Sequence, residues 1–207
     1  MDYVGRSGVS IPYGSAIQIA VEVGDAVAEM RQVLASQIER DPLGAEAIAD
    51  QFAHSAISSR LMEAYPNIPV ISEEDAVRQR QRPDRYFLID PIDGTASWSS
   101  GFSGFVSQIA LIEFDFPVFG VIHCPLQKRT WTAIKGEGAT LNGKALEILR
   151  IRSAAPILVD NTPEPSGTTQ LLMDHLETSR YLESGSIGLK AALVASGEAD
   201  IFLKNLV

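Results

Sequence analysis

The chain has 207 residues, 45% hydrophobic and 21% charged, with a net charge of -9 and an isoelectric point near 4.8. This is globular composition, enough for one sizeable core or two coupled subdomains, and it excludes a low-complexity chain. An acidic protein repels nucleic acid, which argues against a polynucleotide partner, and it repels a phosphate ester too unless a bound cation reverses the local field.

The single cysteine, Cys124, rules out an intramolecular disulfide and fits a reducing compartment. It reads as a small buried residue at a strand end rather than a reactive thiol. Ile17 to Val27 is interrupted by Gln18, Glu22 and Asp25, so neither a signal peptide nor a membrane span is expected. The expectation is a cytoplasmic protein with no membrane partner.

Ile17, Ala20, Val21, Val27, Met30, Leu34 and Ile38 recur at helical spacing and predict one long amphipathic helix. Asp41-Pro42 and Gly44 end it. A second helix presents Phe52, Ala53, Ala56, Ile57, Leu61 and Ala64 on one face and stops at Pro66, with Asp50 off that stripe. Strands follow at Pro69–Ile71, Tyr86–Ile89, Val106–Ile112, Val118–Ile122 and Arg129–Ile134, and Asn142-Gly143 signals a hairpin turn. Ile157–Asp160 predicts another strand, 162–168 a loop, and Thr169–Leu176 a short helix. Gly188–Ser196 predicts a helix capped by Ser186 and ended by Gly197, and Ala199–Leu203 a last strand. Helices, then strands, then alternation predict α+β layers, with subdomains 1–150 and 151–207 meeting near Arg150 to Pro156.

The chemistry concentrates in Asp90-Pro91-Ile92-Asp93-Gly94-Thr95. Two hard carboxylates just beyond a buried strand repel each other unless a cation holds both. Magnesium suits few protein carboxylates, several waters and phosphate oxygens. Gly94 permits close backbone approach, and a helix starting there would aim the amides of Gly94 and Thr95 at an anion. Glu73 and Glu74 follow another short apolar strand, and carboxylates ending neighbouring strands converge in one cleft.

These segments, with Ile71-Ser72-Glu73-Glu74, Gly136-Glu137-Gly138-Ala139, and Gly185-Ser186 through Gly197-Glu198-Ala199-Asp200, resemble the inositol monophosphatase family in order and spacing from Ala47 to Lys204. The resemblance implies a layered αβαβα sandwich and magnesium-dependent hydrolysis of a phosphate monoester on a small metabolite, an inositol phosphate or a 3'(2'),5'-bisphosphate nucleotide among them. It implies that Glu73, Asp90 and the Ile92 carbonyl ligate a first Mg2+, and that Asp90 and Asp93 share a second. It places Thr95, Asp50 and Glu73 in catalysis, with Thr95 and Asp50 orienting the attacking water. It places Asp93, Gly94, Thr95, Ser186 and Lys204 at the substrate phosphate. Homodimers are common in the family, and no residue here fixes the oligomeric state.

Two departures bear on activity. The family has a Thr where Ala47 stands, three residues before Asp50. It also carries a Trp-Asp-x-Ala segment a few residues beyond the place of Lys204, whereas this sequence reaches Val207 without it, inside what reads as a core element. The expectation is a truncated chain that binds the second metal poorly. The alternative is a family member that binds metal and ligand without efficient turnover. Trp98 reads as core packing rather than a base-stacking platform, and His123 as structural.

Overall fold

The computed structural model describes residues 2–4, 10–73, 82–147, 155–176 and 179–204. The stretch around the expected subdomain boundary, together with Glu74, Leu206 and Val207, lies largely or wholly outside the described residues.

Two short strands that the sequence reading did not foresee, β1 (Asp2–Val4) and β2 (Ser10–Pro12), pair antiparallel ahead of the first helix. The single long helix expected next is two: α1 (Gly14–Val33) ends at Leu34, and α2 (Ala35–Arg40) follows. The reason is packing. α1 buries Ala16, Ile19, Ala20, Val23 and Val27, whereas α2 buries no residue, so nothing holds the two on one axis.

Asp41 separates α2 from α3 (Pro42–Ala64) by capping the latter. Its carboxylate accepts from the Gly44 amide at 3.0 Å, with Pro42 in the first turn. Gly44 therefore lies inside α3. The buried stripe of α3 is Ala45, Ala49, Ala53, Ile57 and Leu61, which includes Ala53, Ile57 and Leu61 of the expected face, while Phe52 is 41% exposed. Small residues every fourth position let α3 lie close along α1.

β3 (Val70–Ser72), β4 (Arg85–Asp93), β5 (Val106–Glu113), β6 (Phe116–Cys124), β7 (Arg129–Ile134), β8 (Gly138–Leu141) and β9 (Lys144–Ala145) form a seven-stranded sheet in sequence order. Every pair in it is antiparallel except β3–β4. The β8–β9 turn uses Asn142 and Gly143, both at positive φ, as the dipeptide predicts. Helix α4 (Thr95–Ser100) branches off the end of β4.

The C-terminal part adds β10 (Ile157–Asp160), α5 (Gly167–His175), β11 (Arg180–Glu183), α6 (Ile187–Ala195) and β12 (Ile201–Phe202). Its strands make a parallel sheet ordered β11-β10-β12, in which β11 was not foreseen. Strand alternation sorts the large sheet's two faces. Phe87, Ile89, Ile109, Leu111, Phe119 and Val121 join the core under α1 and α3. Val106, Cys124 and Trp131 join a second core with Val159, Leu189 and Leu193. Helix α6 touches β5, β6 and β12 and so lies between the two sheets, while α5 packs on β10. This is the α+β sandwich expected, and the second core is shared between residues before and after 150.

Candidate metal and phosphate site

The carboxylates converge for topological reasons. β3 and β4 run parallel, so Glu73, just past β3, and Asp90, late in β4, emerge at the same sheet end. The Glu73 amide donates to the Ile89 carbonyl at 3.2 Å, which keeps the two chains in step past the end of β3. A register shift between Asp90 and Asp93 turns the strand and brings Asp93 back toward Asp90. Alternation puts Asp90 on the face away from α1 and α3, opposite its cross-strand partner Gln108.

Gln108 Nε2 donates to Asp90 Oδ2 at 3.0 Å and to Asp93 Oδ2 at 3.1 Å. Asp93 Oδ2 also accepts from the Gly188 amide, at the start of α6, at 2.5 Å. Glycine at 188 leaves these side chains undisturbed, since a Cβ would stand 2.7 Å from Gln108 Oε1 and 2.9 Å from Asp93 Oδ2 and force one of them to move. Asp90 Oδ1 is buried with no hydrogen-bond donor. Burial first, then the Glu73 and Asp93 carboxylates, push the Asp90 carboxyl up to about 8, against the hydrogen bond from Gln108.

Among the described residues no three His, Cys, Asp or Glu side chains form a ready metal cluster. Magnesium, however, needs only one or two protein carboxylates beside its waters. An orphaned buried carboxylate oxygen next to a second carboxylate, at the exposed Glu73, is the chemistry that a hard cation relieves. Glu73, Asp90 and Asp93 fit such an ion.

Gly94 sits at φ 94° and precedes α4, a conformation that favours glycine. Thr95 opens α4, and its hydroxyl donates to the Ile92 carbonyl at 3.4 Å. Ser186 caps α6 by accepting from the Leu189 amide at 3.1 Å, and a Cβ on Gly94 would approach the Ser186 Cβ to 3.0 Å. These contacts bring Gly94 and Ser186 side by side. Asp50 is half-buried on α3, which packs on α4. Lys204 is exposed just after β12. A cavity of about 630 Å³ opens from Glu73 and Asp90 along the sheet toward Trp131.

Gln108 and Lys190 were missed by sequence reasoning. Lys190 is 4% exposed on α6, with Nζ 3.6 Å from Asp160 Oδ1. Burial lowers its pKa while Asp160 and Asp93 oppose that shift. A lysine on an inward helical position of an otherwise apolar segment was the available signal. Three other residues are structural, as expected. Trp98 is fully buried and donates from Nε1 to the Val27 carbonyl at 2.8 Å. His123 is held by Thr130 at 2.9 Å and Asp25 at 3.3 Å. Burial pushes the Cys124 thiol up to about 11, which makes it inert.

Comparison with known proteins gives the class: a hydrolase that works on phosphate esters. Residues 13–205 match the sequence model of the inositol monophosphatase family. The 3'(2'),5'-bisphosphate nucleotidase CysQ of Salmonella typhimurium is 34% identical over 194 residues, covering 89% of this chain and 77% of that protein. The crystal structure of CysQ from Bacteroides thetaiotaomicron superposes with a TM-score of 0.77 at 27% identity, covering 91% of this chain and 77% of that one. Inositol monophosphatase-II from Staphylococcus aureus shares the fold, with a TM-score of 0.71 at 21% identity over 93% of this chain and 74% of its own. The chain belongs to the inositol monophosphatase family and is a phosphoric monoester hydrolase. No described helix is long and apolar enough to cross a membrane.

Proposed function

We propose that the chain hydrolyses a phosphate monoester of a small metabolite, inositol phosphate-like or bisphosphate nucleotide-like, with Mg2+ held by Glu73, Asp90, the Ile92 carbonyl and Asp93. The observation that carries this reading is Asp90 Oδ1, buried and without a donor beside the Glu73 carboxylate. A bound divalent cation supplies an acidified water and neutralises phosphate charge. The chain's own residues do the rest. The amides at the start of α4, Gly94 and Thr95, have no intrahelical acceptor and would donate to phosphate oxygens of a bound ester. The Thr95 hydroxyl orients the attacking water, with Asp50 as its partner.

Support for that partnership comes from the helix register. Ser99, one turn beyond Thr95, donates to the Glu46 carboxylate at 2.5 Å, and Glu46 lies one turn before Asp50. Ser186, beside Gly94, and Lys204 extend the site toward the rest of the substrate. The single buried Cys124 suits a cytoplasmic setting.

A second reading, binding without efficient turnover, is favoured by one feature: exposed Ala47 offers no hydroxyl near Asp50. The experiment that separates the two is phosphate release over a panel of inositol phosphates, adenosine 3',5'-bisphosphate and sugar bisphosphates, with magnesium and with a chelator. Magnesium-dependent release from at least one ester is expected. Calorimetric binding of an ester without release supports the second reading, and neither binding nor release contradicts both.

A further inference from the structure

The Lys190 cation does not stand free beside the candidate site. It is carried on α6 two residues beyond Gly188, and its Nζ lies 4.8 Å from the Phe202 ring centroid and 3.6 Å from Asp160 Oδ1. Asp160 ends β10, the central strand of the parallel sheet, at the carboxyl edge where open α/β sheets bind ligands. Its carboxylate is held from three sides. Thr169 Oγ1 donates to Oδ2 at 2.8 Å, the Asn161 amide donates to Oδ1 at 2.8 Å, and Lys190 supplies the charge. The Asp160 side chain is still 20% exposed, and the Ser184 amide, two residues before Ser186, donates to the Asp160 carbonyl at 2.7 Å, which sets Asp160 next to the Ser186 end of the site. Gly188, two residues before Lys190, binds the Asp93 carboxylate through its amide, so Asp160 neutralises a cation carried on the first turns of the helix that meets Asp93.

We propose that Asp160 is a specificity-determining residue: its fixed carboxylate, by holding the Lys190 charge, sets the site against a substrate with a second phosphate and in favour of the monophosphate of a neutral alcohol. The proposal deepens the phosphomonoesterase reading and rests on it. A second phosphate brought to this edge meets a carboxylate that cannot swing away, because Thr169 and Asn161 fix it. A neutral alcohol meets a hydrogen-bond acceptor instead.

The test compares adenosine 3'-monophosphate with adenosine 3',5'-bisphosphate, which differ only in the second phosphate, using the whole chain with magnesium. The wild type is expected to have the higher kcat/KM on the monophosphate. Asp160→Asn is expected to shift the bisphosphate-to-monophosphate ratio of kcat/KM upward by about tenfold, and Asp160→Glu, which keeps the charge, to return it toward the wild-type value. A merely structural role for Asp160 would lower both activities together and leave the ratio unchanged, which overturns the proposal. Should Asp160→Asn fail to fold, the wild-type preference decides: a clear preference for the bisphosphate overturns it. If the wild type releases phosphate from neither compound nor from any ester of the wider panel, the phosphomonoesterase reading fails. The dissociation constants of the same two compounds, measured by calorimetry, then carry the test of Asp160 with the same expected ratio.

Discussion

Asp90 and Gln108 face each other across β4 and β5, and the Gln108 amide binds Asp90 Oδ2 at 3.0 Å while reaching Asp93 Oδ2 at 3.1 Å. One neutral side chain therefore spans two carboxylates that would otherwise repel, which is the task assigned to a cation when metal is bound. Gln108→Leu should remove that restraint. Without metal, the variant is expected to lose about 1–3 kcal/mol of stability, the cost of leaving a partly buried acceptor without its donor. Magnesium should recover more stability in the variant than in the wild type. Thermal denaturation of both proteins, with chelator and with magnesium, measures the difference.

The raised Asp90 pKa gives a pH dependence of definite sign. The folded carboxyl titrates at about 8 against an ordinary value of 3.8, so the fold binds the proton more tightly than the unfolded chain does. In the metal-free protein the stability contributed by neutral Asp90 is full below about pH 4 and is lost as pH rises toward 8. Relative to wild type, Asp90→Asn should therefore become progressively more stable across that window. Magnesium competes with the same proton, so its affinity for the wild type should rise with pH up to about 8. Denaturation midpoints across pH in chelator, and magnesium titrations across pH, check the two halves.

Gly188 couples α6 to the Asp93 carboxylate. A methyl group there would press on Gln108 Oε1 and on Asp93 Oδ2, the oxygen that accepts from Gln108 Nε2. Gly188→Ala should weaken magnesium binding severalfold by displacing Asp93, even though alanine favours the helix by about 1 kcal/mol. Calorimetric titration of the folded variant tells whether the displacement outweighs the propensity.

Thr95 is asked to orient a water through its hydroxyl, and that hydroxyl donates to the Ile92 carbonyl. Thr95→Val, close in shape but without the hydroxyl, should lower kcat by about 100-fold with little change in KM, since the loss falls on a proton-handling step. Thr95→Ser should retain most of the rate. A loss confined to KM would place Thr95 in ground-state binding instead.

The sequence revealed the parts of the site whose chemistry is local. Asp90, Asp93 and Gly94 stand within one short segment after an apolar strand, and a carboxylate at a strand end has few other uses. Gln108 was not legible, because a neutral amide at an alternating position of a strand looks like any solvent-facing residue until its cross-strand partner is known. Lys190 hid in an apolar helical run, since its partner Asp160 lies 30 residues earlier and only the β10–α6 packing joins them. Strand β11 carries Arg180 and Glu183 at its ends and is nowhere fully buried, so it shows little strand pattern. The break at Leu34 depends on what each helix packs against, which periodicity does not report. Asp50 was placed on the correct helix, off its buried stripe, whereas the contact that joins α3 to α4, Ser99 to Glu46, cannot be read from spacing along the chain.

The most direct measurement is a calorimetric titration of magnesium into the wild type, Glu73→Gln and Asp90→Asn, each shown by circular dichroism to be folded. The wild type should bind the ion, and each substitution should weaken binding by about tenfold or more, because each removes a carboxylate from the place where buried Asp90 Oδ1 lacks a donor. Equal magnesium affinity in all three folded proteins would contradict the account.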